Sequence, residues 1–402
     1  MARRAPGLIK PLITSITVTL FTVIVIDVMP LIVFRGRMTI SNPFFFESPS
    51  TSWSFTDRET LLPAVTTFLQ QRGRRLLIHG RRRTGKTSLI QNAAHKAKAV
   101  LLYVDISTAA SLAEVAKKLL DSAPPEESSA LASALAIARK HFQSIVLTAG
   151  KLSLAGNFRQ ESGETTLEQV LAYLDERAAL ADEPWTICFD EFQDMRVIGG
   201  DRPDWKIRGI IQHHRHLNYI FTGSDHRLLA WMSESDAAFF KQLQQVEVGP
   251  IDAEHLARWI DRRAKTGGLP DPTFGVAVVA AAGPCTGDIV RLAKVAFDIA
   301  AAGKAKDVVA TAIDAIALGE LNAEFNARWA DLSVPQRSVL QMVAAGKPTT
   351  ASDTLREYGL RTPSTAQSAL ARLIDRQILV RTANGVIFDN PFFRRWVIFH
   401  AI

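Results

Sequence analysis

Cysteine is scarce: the 402 residues hold two, Cys188 and Cys285, with no CxxC pair. Two thiols so far apart, one in an apolar run and one in a helix-start-like segment, argue against a disulfide or thiolate metal site and read as reduced, buried groups of a cytosolic protein. A small-residue cleavage site is missing near the N-terminus, so a secretory signal is not expected. A full bilayer span is missing too. Pro11 to Ile26 is uncharged for 16 residues, short of the roughly 20 that cross a membrane, and Asp27 and Pro30 follow. Arg3, Arg4 and Lys10 on one side and Arg35 and Arg37 on the other give no orientation. Three readings stay open for residues 1–37: a membrane anchor, with contact through residues 11–34, a buried or interfacial segment, or translated upstream sequence ahead of a start at Met38.

Other absences narrow the chemistry. There is no Asn-Lys-x-Asp guanine signature. His213, His214 and His216 match no metal-ligand spacing and read as a solvated basic turn. Neither disorder nor a single tiny domain fits 402 residues that are 47% hydrophobic and 22% charged, a balance suited to two or three domains. The net charge of +7 is compatible with an acidic partner such as nucleic acid without establishing one.

What is present centres on LLIHGRRRTGKTSL, Leu76 to Leu89. A short apolar strand enters Gly80-Arg81-Arg82-Arg83-Thr84-Gly85-Lys86-Thr87-Ser88, and a helix-compatible run follows. Two glycines let the backbone curl so that its N–H groups form an anion nest, and the helix N-terminus adds positive potential. In this G-x-x-x-x-G-K-[ST] pattern Lys86 reaches the β- and γ-phosphates and the Thr87 hydroxyl holds Mg²⁺. The second landmark is WTICFDEFQD, Trp185 to Asp194. Asp190 and Glu191 stand at the C-terminal tip of a buried strand, where open α/β sheets build their sites. Asp190 is expected in the Mg²⁺ shell and Glu191 to polarise the water that attacks the γ-phosphate.

Around these landmarks the chain alternates strand and helix. Thr56 and Glu59 have capping-box spacing ahead of a helix through Leu69. Phe44 to Phe46 read either as core packing or as contact to an adenine ring. Ala99 to Ile106 predicts a second buried strand, Leu112 to Leu120 a helix, Ser129 to Phe142 another, and Ile145 to Asn157 an inserted hairpin. A helix from Leu167 leads to the acidic strand. Asn218 to Asp225 predicts a fourth strand whose Thr222 and Ser224 hydroxyls either face the γ-phosphate or start the next turn, and Gln245 to Val248 a fifth. An alanine-rich helical region follows, in which Arg291 of TGDIVRLA either projects onto the nucleotide from a lid or is a surface cation. From Leu332 the pattern is three helices and a hairpin at Asn384-Gly385, a winged helix-turn-helix read as its own module. Arg361, Arg372, Arg376 and Arg381 lie on or beside its third helix and wing, where they could meet DNA phosphates. The other reading docks this module on the body or on a protein partner.

The runs NPFFFES, FTDRE, GRRRTGKTSL, CFDEFQD, FTGSDHRLL, TGDIVRLA and DNPFFRRW together resemble the archaeal-type ATPases, P-loop NTPases related to AAA+ and to signal-transducing NTPases. The resemblance implies a parallel sheet of order 5-1-4-3-2, a helical lid and a C-terminal winged helix, with boundaries near 38–250, 251–325 and 326–402. It implies Gly80 to Ser88 as the Walker A loop, Asp190 and Glu191 as Walker B, Ser224 as the sensor and Arg291 as the lid arginine. The lid reads TGD where the group often has Gly-Asn-Pro. Adenine is favoured, so ATP and Mg²⁺ are the expected ligands. Two functions are open: an ATP-hydrolysing switch or motor on DNA, or a slowly hydrolysing regulatory scaffold with a protein partner or a second copy of itself.

Overall fold

The computed structural model describes residues 41–50, 54–124, 160–224, 228, 231–232, 238–239, 241–303, 305–382 and 385–401. The N-terminal apolar segment, the helix expected from Ser129, the hairpin around Gly150 and Asn384 of the wing turn lie outside them.

The first helix, α1 (Leu61–Leu69), starts later than the capping-box spacing suggests. Thr60 occupies its N-cap without a side-chain bond. Asp57 and Arg58 take left-handed φ values of 59° and 75°, which breaks the chain between Thr56 and the helix. Thr56 Oγ1 pairs instead with His255 Nε2 at 3.0 Å.

Five parallel strands follow: β1 (Arg75–His79), β2 (Val100–Asp105), β3 (Trp185–Asp190), β4 (Leu217–Gly223) and β5 (Gln244–Glu247). They pair in the order β2-β3-β4-β1-β5, the expected 5-1-4-3-2 read from the other edge. β3 and β4 are buried at every residue, which is why they read as continuous apolar runs rather than alternating ones. Side chains of period two still sort to opposite faces. Leu77, Phe189 and Phe221 meet α3 (Leu112–Ser122) and α4 (Gln160–Leu180) on one face. Ile78, Cys188 and Ile220 meet α1 and α2 (Lys86–Ala97) on the other. A shorter helix, α5 (Pro203–Ile211), leads into β4.

Beyond the sheet lie α6 (Ala253–Thr266), α7 (Phe274–Ala282), α8 (Thr286–Ala302), α9 (Val308–Asp314) and α10 (Asn322–Ala330), then α11 (Val334–Ala344), α12 (Ser352–Glu357) and α13 (Pro363–Asp375). The antiparallel pair β6 (Leu379–Thr382) and β7 (Gly385–Phe388) forms the wing, and α14 (Pro391–Ala401) closes the chain. One continuous hydrophobic core runs from Trp259 and Phe297 of the lid through Phe325 to Leu373, Phe393 and Trp396 of the winged helix. The two modules therefore share side-chain packing across the boundary near residue 326. Phe44 belongs to this core, edge-on to Trp259 and Phe297 at 6.1 and 6.0 Å; its role is packing, against the lid rather than the sheet. No helix among the described residues is long and apolar enough to cross a membrane.

The histidine connector is not simply a solvated turn. His214 is half-buried and its Nδ1 lies 2.6 Å from the Tyr219 hydroxyl. Burial lowers its pKa, and burial likewise lowers that of His79 at the end of β1. Both favour the neutral ring when folded, so their contribution to stability is full above the ordinary value of 6.5 and is lost as the pH falls from there through the lowered folded values. Denaturant melts at pH 7.5 and 5.5 should show the protein weaker at the lower pH, and His214→Gln should flatten that difference.

Candidate nucleotide-binding site

At the C-terminal end of β1 the backbone turns at Gly80 with φ 150°, and a Cβ there would sit 2.3 Å from the Val248 carbonyl oxygen. Only glycine fits between the loop and the chain leaving β5. Arg83 and Gly85 take φ values of 62° and 91°, completing the curl that delivers Lys86 and Thr87 to the first turn of α2. That turn carries no acidic residue, so no side chain of the helix itself offsets its positive end. Thr84 Oγ1 closes the loop on the Arg81 carbonyl at 2.9 Å. Lys86 Nζ donates to the carbonyls of Gly80 and Arg81 at 2.9 and 3.0 Å. Burial lowers the Lys86 pKa while Glu191 and Asp190 pull it up. Ser88 Oγ accepts from Ser50 N at 2.9 Å, tying the N-terminal segment over the helix.

The acidic pair stands across from this loop. Asp190 Oδ2 lies 3.4 Å from Thr87 Oγ1 and also accepts from the Tyr103 hydroxyl. Asp190 Oδ1 accepts from Thr222 Oγ1 at 2.9 Å and from Glu191 N at 3.0 Å. Thr222 thus serves the aspartate rather than facing a phosphate. Glu191 takes a left-handed φ of 48°, which turns its side chain off the strand direction. Its carboxylate accepts from Ser224 Oγ at 3.0 Å and Gln193 Nε2 at 2.6 Å, so Ser224 after β4 and Gln193 after β3 are joined through Glu191.

The three arginines in the variable positions of the loop each have a different partner. Arg81 pairs with Asp389, between the wing and α14. Burial opposes its charge, but the hydrogen bond and charge of Asp389 outweigh that and raise its pKa. Arg82 Nε donates to Ser224 Oγ at 3.1 Å. Arg83 pairs with Asp288 of α8, and Gly287 N donates to the Arg83 carbonyl at 3.0 Å. Burial pushes the Asp288 carboxyl up while Arg83 holds it down. TGD is therefore a docking point for the loop. Arg291 reaches the pocket wall, but its guanidinium meets Glu320 at 3.0 Å and lies over the Phe46 ring at 4.9 Å.

Lys86, Thr87, Asp190, Glu191, Arg291 and Gly287 line one cavity of about 610 Å³, within the usual size of small-molecule sites. Phe46, Phe55, Ile251 and Trp259 supply an apolar wall at the same cavity, suited to a base and a triphosphate together. The oxygens of Thr87 and Asp190 suit a hard divalent cation such as Mg²⁺. Thr286 Oγ1, also on the wall, is buried with no hydrogen-bond partner among the described residues, which fits a polar ligand. No cluster of three or more metal-binding side chains is found among the described residues.

Sequence reasoning missed Arg58, which is 7% exposed and donates to the Thr84 and Gly249 carbonyls at 2.9 and 2.8 Å. It also missed Tyr103 and Gln193, and it read Asp288 only as part of the TGD motif and gave Asp389 no site role. Gln193 lies two residues past the acidic pair, and Tyr103 shares a strand face with the core; neither position alone signals a site.

Fold and site together define an α/β protein with a P-loop at one end of a five-stranded parallel sheet, a helical lid and a C-terminal winged helix. A family model described as a probable winged helix domain matches residues 323–398. The fold is similar to that of a Walker-type ATPase of Pyrococcus abyssi, at 17% identity and TM-score 0.63, covering 89% of this chain and 99% of the other. It is similar as well to the ORC2 protein of Aeropyrum pernix, solved in ADPNP–ADP complexes, at 14% identity and TM-score 0.60, covering 88% and 95%. The ADP form of that protein gives 15% identity and TM-score 0.51, covering 86% and 93%. No curated protein matches the sequence.

Proposed function

We propose that the protein is a Mg²⁺-dependent ATPase acting as a nucleotide-driven switch, its winged helix carrying the response to DNA. The observation that carries this reading is the convergence on one phosphate loop of Arg81–Asp389 to the winged helix, Arg82–Ser224 to the sensor strand and Arg83–Asp288 to the lid. A change in the loop on nucleotide binding or hydrolysis is transmitted through three separate contacts. Gln377 Nε2, at 3.5 Å from the Ser224 carbonyl, adds a second contact from the winged helix. In this reading Lys86 and the loop amides bind the phosphates, Thr87 and Asp190 hold Mg²⁺, which would screen the charge developing between the β- and γ-phosphates, and Glu191 takes the proton of the attacking water. Ser224 positions Glu191. Arg291 is a wall residue whose charge is met by Glu320.

Arg361, Arg372 and Arg381 are exposed, and Arg376 pairs with Asp331. Three arginines remain as phosphate contacts. Duplex affinity should fall with salt, and Arg372→Ala should lower the slope of log affinity against log salt by about 1. A slope unchanged by Arg372→Ala removes that contact from the reading; no duplex binding at low salt defeats the DNA half altogether. The second reading, a slow regulatory scaffold binding a protein, is favoured by Phe399, 62% exposed on α14, and Ile387, 41% exposed on the wing. Capture with Glu191→Gln held in the ATP state separates them by whether duplex DNA or protein is retained.

A further inference from the structure

Asp190 has more hydrogen-bond donors than burial alone requires. Its Oδ1 is fully engaged by Thr222 Oγ1 and Glu191 N, at 2.9 and 3.0 Å, and these two fix the carboxylate to its own strand and to β4. Oδ2 faces Thr87 and receives the Tyr103 hydroxyl as well. Tyr103 and Thr87 thus meet on the same carboxylate oxygen, beside the position where the cation would sit. The ring is held independently of them, packed against the core of Leu89, Ile90, Cys188 and Ile220 beneath α2. Parallel pairing of β2 with β3 sets Tyr103 opposite Cys188, two residues short of the Asp105–Asp190 pair, which is the spacing that brings its hydroxyl to the strand tip.

We infer that Tyr103 is a positioning residue for the divalent cation: its hydroxyl sets the rotation of the Asp190 carboxylate so that Oδ2 and Thr87 Oγ1 present to one ion. This rests on the ATP–Mg²⁺ reading of the site. A donor on the ligand carboxylate that does not itself touch the metal typically changes metal affinity by roughly 10- to 100-fold when removed. Loss of the Tyr103 hydroxyl leaves the two Oδ1 bonds alone to set the carboxylate's rotation, so Oδ2 is held less firmly towards Thr87, while Lys86 and the loop amides proposed to bind phosphate are untouched.

The test is Tyr103→Phe, which keeps the ring and its packing. A fluorescent ATP analogue is bound to the full chain and Mg²⁺ is titrated, with a parallel series in EDTA. The inference expects a Mg²⁺ midpoint about 10-fold higher than in the parent protein, unchanged analogue affinity in EDTA, and turnover restored by excess Mg²⁺. A midpoint within twofold of the parent, a lower midpoint, or an equal loss of affinity in EDTA overturns it. If the parent protein itself binds the analogue with no Mg²⁺ dependence, the underlying site reading fails, and Tyr103 loses its role with it. The EDTA series thus separates a misfolded variant from a displaced carboxylate.

Discussion

Glu191→Gln should reduce ATP turnover by roughly 100- to 10,000-fold, the range expected when a positioned general base is lost, while leaving ATP affinity within a few-fold of the parent. The reason is geometric. Glutamine has the size of glutamate and can still accept from Ser224 Oγ, which sits 3.0 Å from the Glu191 carboxylate, so the turn after β3 and its left-handed backbone at residue 191 survive. It cannot take a proton from water. The groups proposed to bind phosphate, Lys86 and the first turn of α2, belong to another strand and helix and keep their positions. Single-turnover hydrolysis alongside equilibrium binding checks both halves. Turnover falling by less than tenfold would assign the base elsewhere. A parallel fall in affinity would mean that Glu191 holds the loop rather than activates water. Ser224→Ala should show a milder version of the same defect, because Gln193 still holds the carboxylate at 2.6 Å.

The second large effect is at Gly80. Alanine there meets two costs at once. The backbone φ of 150° is one that side chains rarely adopt, and the new Cβ would lie 2.3 Å from the Val248 carbonyl oxygen. Strained backbone of this kind costs about 1–3 kcal/mol, and relief requires moving either the loop or the segment after β5. Val248 N bonds the His79 carbonyl at 2.8 Å, so that segment is already committed to β1. Gly80→Ala is therefore expected to lower the unfolding free energy by about 2 kcal/mol or more and to weaken ATP binding at least about tenfold in the protein that remains folded. Gly85 is the contrast. Its φ of 91° is strained for alanine, but nothing lies within 4 Å of the place a Cβ would take, so Gly85→Ala should be the milder change. Denaturant melts and analogue binding of the two variants rank them, and equal effects would refute the crowding argument.

Much of the sheet was legible because its strands are short continuous apolar runs, and the glycine loop and acidic strand tip carry their chemistry in adjacent residues. The strand order came from the resemblance, since no residue pattern in β1 or β4 declares its neighbour. What escaped was the wiring. Asp389 lies 308 residues from Arg81 and Asp288 lies 205 from Arg83, and an ion pair between such distant positions leaves no local signature. Arg58 escaped for a related reason. Its left-handed φ of 75° interrupts a stretch whose Thr56 and Glu59 spacing suggests an ordinary helix start, and that break is what sends its guanidinium to the loop carbonyls. Arg291 illustrates the opposite error source: its position on α8 was readable, but the Glu320 that meets its charge, 29 residues on, was not.

Lys86→Ala tests the central claim most directly, because Lys86, whose Nζ rests on the Gly80 and Arg81 carbonyls of the loop, is the residue proposed to bind the phosphates. Titration of ATP into the parent protein with Mg²⁺ present should give saturable one-site binding. The Lys86→Ala variant, with an unchanged melting profile, should bind at least about tenfold more weakly, as the loss of a charge-assisted phosphate contact of about 1.5–3 kcal/mol requires. Equal affinities in the two proteins, or no ATP binding by the parent, would contradict the account.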